Sequence, residues 1–339
     1  MFYGGGGILA QGAFNRRRLY FGVIEKDGVK MSGKVIHSEK AAKLYTLARR
    51  AVDAGDIDKI QQYYEAILLE EPNSWEAIMY TECNADGRYR DTAHWITRTR
   101  NAIPNVVRLM KEQETDYKAA LHKIVNHCDY ITGVLCHGAD AYYEQLRSKT
   151  NSNTPIDYFA KIRDSHAANY AGASGIMYVL GDAIEDNFPE DAYLDGYAVP
   201  AWKSGVERHA KGVNFFSEEE DKEHARDVIM SYVEAIQKRD PNYKTPEIKI
   251  SGCYVATAVY GSYDCPEVWT LRRFRDDILA ESAAGRLFIH CYYAVSPTLV
   301  KWFGKTEWFR KLWRGQLDAL VKKLQEDGVQ NTPYNDKNW

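Results

Sequence analysis

The sequence lacks most of the features that assign a protein to a functional class at first sight. Its six cysteines are scattered and none is spaced as Cys-x-x-Cys, which favours free thiols in a reducing cytoplasm over a disulfide-stapled secreted protein. No run of apolar residues is long enough for a membrane-spanning helix. The first residues also lack the ordered charged, apolar and small segments of a signal peptide.

The composition is that of an ordinary soluble globular protein, with 45% hydrophobic and 27% charged residues. Its 339 residues are enough for one large domain or two to three smaller ones. The formal net charge of −3 gives no indication of nucleic-acid binding, and no cofactor is predicted. The distribution of tryptophan is more informative, because five of the eight lie in the last 71 residues: Trp269, Trp302, Trp308, Trp313 and Trp339.

Residues 1–37 differ from the rest of the chain. The four glycines Gly4–Gly7 cannot hold a regular element. The following stretch alternates β-branched and aromatic residues around the turn dipeptide Asp27-Gly28, which predicts a small β-hairpin. Because the glycine run lacks the Gly-Lys pair of a phosphate-binding loop, we interpret it as an arm.

Residues 38–247 have apolar residues at helical spacing. Two helices separated by Gly55 and Asp56 are predicted, and they carry the stripes Leu44, Leu47, Ala48, Ala51 and Ile60, Tyr64, Ile67. Pro72 ends the second helix, and Asn73 with Glu76 three residues later forms a predicted capping box for a third. This helix pair resembles a tetratricopeptide unit over residues 41–72, with a degenerate second unit from Trp75.

A long helix is predicted over residues 115–147. Its core stripe is Leu121, Ile124, Cys128, Ile131, Leu135, Ala139, Tyr142 and Leu146. The proline-containing stretch RDPNYKTPEIKIS is the best linker, which places the main boundary near residue 247. The predicted fold is therefore mainly α: a hairpin arm over 1–37, a helical repeat or bundle over 38–247, and a helical C-terminal module over 248–339.

The C-terminal module begins with the apolar stretch CYVATAVYG at Cys253, which suits a short strand or a tightly buried segment. A helix from Pro266 follows, with inward residues Val268, Leu271, Phe274 and Ile278 and with Arg272, Arg273 and Arg275 facing solvent or a partner. Gly285 is expected to end this helix, and Ser296-Pro297 to cap a further piece. A last amphipathic helix is predicted over residues 307–325.

Several short motifs of the module occur together: CYVATAVYG at 253–261, Pro266-Glu267-Val268, LRRFRD at 271–276, Tyr292-Tyr293 and Ser296-Pro297. Together they resemble the CFI-box, a C-terminal module of many bacterial proteins that begins Cys-Phe-Ile-Ala-Thr-Ala; Tyr254 and Val255 replace its Phe and Ile. The preceding helical region is similar to those of Firmicutes proteins that often begin with a zinc ribbon, in whose place this chain has the glycine-rich arm. The resemblance implies a bacterial origin and no particular reaction.

Cys253 has three interpretations. The first is a buried apolar thiol, because free cysteines are among the most buried residues. The second is a catalytic nucleophile, whose pKa would be lowered by His290 or by the helix start near Pro266. The third is an S-acylation site that anchors amphipathic helices to a membrane.

The aromatic and basic residues of the module are the candidate interaction residues: Trp269, Arg272, Arg273, Arg275, Trp302, Trp308 and Trp313. Residues 266–327 hold 11 lysines and arginines against 8 acidic residues, a mixture that also occurs in helices bound to anionic lipid. Because the acidic residues are interspersed, a packed subdomain whose cations lie over its own tryptophans is favoured. His122, His127 and His137 lack the i, i+4 spacing of a helical metal pair, so no metal site is predicted.

The leading hypothesis is a non-enzymatic cytoplasmic scaffold that binds a protein partner or forms a homo-oligomer, with the arm available for self-assembly. Two alternatives stay open. One is a thiol-dependent enzyme that uses Cys253 and His290. The other is a peripheral membrane protein anchored to an anionic surface through the C-terminal module.

Overall fold

The computed structural model of the protein describes residues 37–85, 92–150, 154–189, 195–246, 248, 253–304, 306–334 and 337. Over these residues the chain forms helices and no strand, so the prediction of a mainly α fold is confirmed. The predicted hairpin lies outside the described residues. The described part contains twelve α-helices: α1 Glu39–Ala54, α2 Ile57–Glu70, α3 Trp75–Glu82, α4 Thr92–Gln113, α5 Tyr117–Arg147, α6 Ile156–Asn187, α7 Asp195–Gly212, α8 Glu219–Gln237, α9 Tyr254–Tyr260, α10 Pro266–Arg273, α11 Ala283–Phe303 and α12 Glu307–Glu326.

The chain is divided into two compact units. The first unit contains the described residues of 1–86, 94–134 and 176–202, and the second those of 87–93, 135–175 and 203–339. The long helices α5, α6 and α7 each contribute residues to both units. Residue 247, near which the sequence predicts a boundary, is not among the described residues, and that boundary stays a prediction.

Helices α1 and α2 of the first unit are joined by a tight connection. Ser38 caps α1 by accepting a hydrogen bond from the amide of Ala41. Gly55 then takes the left-handed conformation with φ 68°, and Asp56 caps α2. This connection makes α1 and α2 neighbouring antiparallel helices. The α2 stripe is buried as predicted, whereas Leu47 of the predicted α1 stripe is exposed and Tyr45 is buried.

Helix α3 begins differently from the prediction. Its N-cap is Ser74, whose hydroxyl accepts from the amide of Ala77 at 3.1 Å. The predicted capping box of Asn73 and Glu76 is therefore wrong. Glu76 turns inward and is buried, because basic and phenolic groups of three other helices surround its carboxylate.

The predicted long helix is confirmed as α5, but its buried stripe changes along its length. Residues from Leu121 to Ala139 are buried at the predicted spacing. Further along, the buried positions are Tyr143 and Arg147 in place of the predicted Tyr142 and Leu146. An arginine thus occupies a core position of the second unit.

The C-terminal part of the second unit is built from α9 to α12. The stretch after Cys253 is the short helix α9, which Gly261 ends in the left-handed conformation with φ 75°. Helix α11 is continuous from Ala283 to Phe303, so the predicted break at Ser296-Pro297 is wrong. The core between these helices contains Val255, Val259, Tyr260, Val268, Trp269, Phe309, Val321 and Leu324.

Candidate functional site

Cys253 and His290, the predicted catalytic pair, lie in different surroundings. Cys253 is the buried N-cap of α9, close to Tyr292, whose hydroxyl accepts from the amide of Val255 at 3.0 Å. His290 lies on α11 and is exposed. Among the described residues, none forms a hydrogen bond or ion pair with His290.

All six cysteines are thiols, and their exposure differs sharply. Five are buried, and only Cys291, on α11, is exposed. Burial raises the pKa of the Cys265 thiol far above its usual value, and the thiol donates a hydrogen bond to the carbonyl of Ser262 at 3.6 Å. Cys265 is therefore an inert core residue.

A buried carboxylate, Asp264, lies at the centre of a polar cluster in the second unit. Its side chain is 2% exposed and lies 3.0 Å from Nε of Arg147 and 3.4 Å from Nη1 of Arg272. Tyr143 donates its hydroxyl to Asp264 at 2.5 Å, and the indole N–H of Trp269 donates to the same carboxylate. We call these five residues the Asp264 cluster.

The arginines of the Asp264 cluster lie over aromatic rings. The guanidinium of Arg272 is 4.1 Å from the centroid of Tyr263 and 5.7 Å from that of Tyr334. That of Arg147 is 5.9 Å from Trp269. Arg272 was predicted to face solvent or a partner, and this is wrong, because the buried charge of Asp264 and these rings draw it inward.

A second buried ion pair follows α10, in a single π-helical turn over Phe274–Ile278. Arg275 binds Asp276 through two hydrogen bonds, at 2.5 and 2.9 Å, and donates to the hydroxyl of Tyr293 at 2.6 Å. Arg275 is therefore also buried rather than solvent-facing. Asp276 accepts further hydrogen bonds from the hydroxyl of Tyr334 and the amide of Lys337.

Arg273 forms hydrogen bonds with the segment that follows α12. Gly328, with φ 93°, lets the chain leave that helix. The guanidinium of Arg273 then donates to the carbonyls of Gln330, Thr332 and Pro333 at 2.9, 2.7 and 3.1 Å. Arg147 donates to the carbonyl of Tyr334 at 2.7 Å. The three arginines predicted for interaction with a partner thus bind groups of the same unit.

The first unit has its own buried carboxylate, Glu76, with a different set of partners. Arg49 lies 2.7 Å, Lys123 3.3 Å and the hydroxyl of Tyr64 2.8 Å from its oxygens. Burial raises the pKa of this carboxyl, but Lys123, Arg49 and Tyr64 outweigh burial and lower the pKa to about 2. Glu76 is therefore ionised at neutral pH and serves to join helices.

Large apolar side chains of α11 and of the first turns of α12 are exposed to solvent. Of the twelve large hydrophobic residues that are exposed among the described residues, eight lie within residues 278–312. Trp302 is 70% and Trp308 55% exposed, whereas Trp269 is buried and Trp313 packs against the core. We call the following residues the aromatic face: Leu287, Phe288, Val295, Trp302, Phe303, Trp308 and Leu312.

The aromatic face is continuous across the junction of the two helices. The ring centroids of Trp302 and Phe303 are 6.3 Å apart, and those of Phe303 and Trp308 5.5 Å. Leu312 follows Trp308 by one helical turn. Sequence reasoning placed Trp302 and Trp308 among the interaction residues but missed Leu287, Phe288 and Val295, because the predicted break at Ser296-Pro297 hid the helical spacing that connects them to Trp302.

Glu76 and Asp264 are each paired with two cationic side chains of their own unit, and the residues of the aromatic face are exposed. No group of three or more metal-ligating side chains is found within the described ranges. Among the helices that the structure describes, none is both long and apolar enough to cross a membrane.

Comparisons of the chain with family models, with curated proteins and with solved structures gave no match.

Proposed function

We propose that the protein is a non-enzymatic helical scaffold and that it binds its partner through the aromatic face. One observation carries this proposal: large hydrophobic side chains are concentrated on two adjacent helices and are exposed there. Apolar surface in contact with water costs about 25 cal/mol per Å², so a continuous exposed patch of this kind marks an interaction site.

The arrangement of the first unit supports the same proposal. Helices α1 and α2 form a short antiparallel pair, which is the building block of tetratricopeptide-like scaffolds. The buried charges support it too, because Glu76 and Asp264 each hold several helices together and leave no charged group free for chemistry at those two points.

The proposal can be tested by retention of the full-length chain on a phenyl-substituted matrix at moderate salt. We expect a Phe288→Ser/Trp302→Ser/Trp308→Ser variant to elute much earlier than the parent chain. A Leu69→Ser/Met230→Ser variant is the matched control, because these exposed residues lie outside the aromatic face. Equal retention of the parent and the triple variant, with unchanged thermal stability, would refute the proposal.

The thiol-dependent enzyme can be tested separately by iodoacetamide labelling at neutral pH. The proposed scaffold predicts that Cys291, the exposed cysteine, is labelled well before Cys253, which is buried. Preferential labelling of Cys253 would instead favour the enzyme.

A further inference from the structure

We propose that the aromatic face binds the surface of an anionic lipid bilayer, with α11 lying in the interface. This inference rests on the proposed function, because it names the partner of the same surface. It makes the C-terminal module a peripheral membrane-binding element.

The geometry of α11 suits this role. Phe288, Val295 and Trp302 are spaced seven residues apart, so they lie on one side of the helix at intervals of about 10 Å along its axis. A neighbouring side of the helix packs into the unit through Ile289 and Val300. The exposed apolar side of α11, which ends at Trp302, is of the kind that enters the acyl boundary of a bilayer.

The charge around the aromatic face favours lipid of negative charge. Helix α11 contains Arg286, His290 and Lys301 but no aspartate or glutamate. Over residues 283–313 there are five lysines and arginines and one acidic residue, Glu307, whereas the whole chain has a formal net charge of −3. The part of the sequence that contains the aromatic face therefore has an excess of positive charge, even though Glu307 pairs with Lys311 at 3.7 Å. A basic residue near an anionic bilayer strengthens binding about fivefold.

A second copy of the chain fits this surface less well. Two copies packed through their aromatic faces would bring together segments that each carry five lysines and arginines against one acidic residue, Glu307, over residues 283–313. A bilayer that contains anionic lipid offers both the apolar interior and the opposite charge. The observations therefore favour lipid over self-association.

The test uses the full-length chain and two kinds of large unilamellar vesicle: pure phosphatidylcholine, and phosphatidylcholine with one-third phosphatidylglycerol. We expect co-sedimentation with the anionic vesicles at least tenfold stronger than with the neutral ones, and weaker binding at high salt. An environment-sensitive fluorophore attached at Cys291, the exposed cysteine between Phe288 and Val295, should shift to the blue on anionic vesicles.

Two variants separate the apolar and electrostatic contributions. Trp302→Gln/Trp308→Gln should weaken binding more than tenfold, with Leu69→Gln/Met230→Gln as the matched control. Arg310→Glu/Lys311→Glu should weaken it more than tenfold as well, with Lys322→Glu/Lys323→Glu, farther along α12, as the control that changes net charge equally. Far-ultraviolet circular dichroism checks that each variant is folded.

The possible outcomes distinguish the two proposals. Absence of binding to both vesicles, with retention on the phenyl matrix still dependent on the aromatic face, would overturn lipid binding and leave the scaffold intact. If the parent chain forms a dimer, the Trp302→Gln/Trp308→Gln variant is a monomer, and neither binds vesicles, the aromatic face is assigned to contact with a second copy. Equal retention of the parent chain and the triple variant on the phenyl matrix would overturn both proposals.

Discussion

Each of the two units buries a carboxylate, and the cationic side chains that pair with it differ in their exposure to solvent. Glu76 of the first unit is paired with Arg49 and Lys123, whose side chains are 44% and 38% exposed. Asp264 of the second unit is paired with Arg147 and Arg272, whose side chains are only 3% and 5% exposed. The first arrangement reaches solvent at its edge, while the second is wholly enclosed.

This difference predicts where each unit is vulnerable. If Glu76 loses its charge, Arg49 and Lys123 can turn to water. If Asp264 loses its charge, two guanidinium groups stay buried with less counter-charge, because Arg147 then keeps the half-exposed carboxylate of Glu144 at 3.3 Å but loses the buried one, and this is costly. Removing the charge of the buried carboxylate should therefore destabilise the second unit more than the first.

The largest effect is expected for Asp264→Asn. It removes the charge that Arg147 and Arg272 share, and we expect the free energy of unfolding of the second unit to fall by about 3–5 kcal/mol. Urea denaturation followed by tryptophan fluorescence, to which the buried Trp269 contributes, measures this loss. Asp277→Asn is the control, because Asp277 pairs with Lys337 at the surface. A loss no larger than that of the control would show that the Asp264 cluster carries little stability.

The next largest effect concerns acid stability. Burial lowers the pKa of His127 to about 4, although its hydrogen bond to the carbonyl of Cys83 opposes this shift. As the pH falls from about 6.5 to 4, the unfolded chain binds a proton at this imidazole before the folded chain does, so stability decreases with falling pH. The cost from this group alone is on the order of 3 kcal/mol.

A His127→Gln variant should therefore lose less stability than the parent chain between pH 6.5 and pH 4, as measured by urea denaturation at several pH values. His122→Gln is the matched control, because His122 is exposed on the same helix. His209 of the second unit also has a pKa lowered to about 4, by burial and by the charge of His224. If the His127 variant and the parent chain lose the same free energy of unfolding between pH 6.5 and pH 4, the proposed role of His127 in acid stability is contradicted.

A smaller effect is expected for Glu76→Gln, which keeps the shape of the side chain and removes its charge. We predict a loss of about 2 kcal/mol, because Arg49 and Lys123 can regain hydration. Hydrogen exchange of α1, α2 and α3 locates the loss in the first unit. Glu70→Gln, whose ion pair with Lys40 lies at the surface, should change stability by less than about 1 kcal/mol. A loss as large as that of Asp264→Asn would remove the distinction between the two clusters.

The smallest effect is expected for Arg273→Ala. Its guanidinium binds the carbonyls of residues 330–333, so its removal should free that segment at a cost of about 1 kcal/mol. Faster hydrogen exchange at residues 328–334, with α9 and α10 unchanged, is the expected result. Arg286→Ala, which removes hydrogen bonds to the nearby carbonyls of Ala280 and Glu281, is the control. Unchanged exchange would show that Arg273 does not hold the segment.

Sequence reasoning succeeded where burial follows apolar spacing. Ile60, Tyr64 and Ile67 are buried as predicted because their spacing matches the helical period and their side chains are apolar. It failed at the buried charges, since arginine is normally a surface residue. Asp264 lies far from Arg147 in the sequence, and no local pattern reveals such a pair. A weak signal did exist, because Arg147 continues the buried series Cys136, Ala139 and Tyr143 at steps of three and four.

The aromatic face was only partly predictable. The concentration of tryptophans near the end of the sequence led to the prediction that Trp302 and Trp308 are interaction residues. Gly285 and Pro297 predicted helix breaks, but α11 is continuous through both positions. A proline early in a predicted segment usually marks a helix start, and here tertiary packing of Tyr292, Leu299 and Val300 overrides that preference. Whether an apolar side of a helix is buried or exposed depends on how the helices pack, and helical spacing alone does not determine it.

The most direct measurement of the central claim is hydroxyl-radical footprinting of the full-length chain, read residue by residue with mass spectrometry. If the aromatic face is open to solvent, Trp302 and Trp308 should be oxidised at least tenfold faster than Trp202 and Trp269, which are buried in the first and second units. Equal protection of all four tryptophans would show that the face is covered, and would contradict a binding role for it.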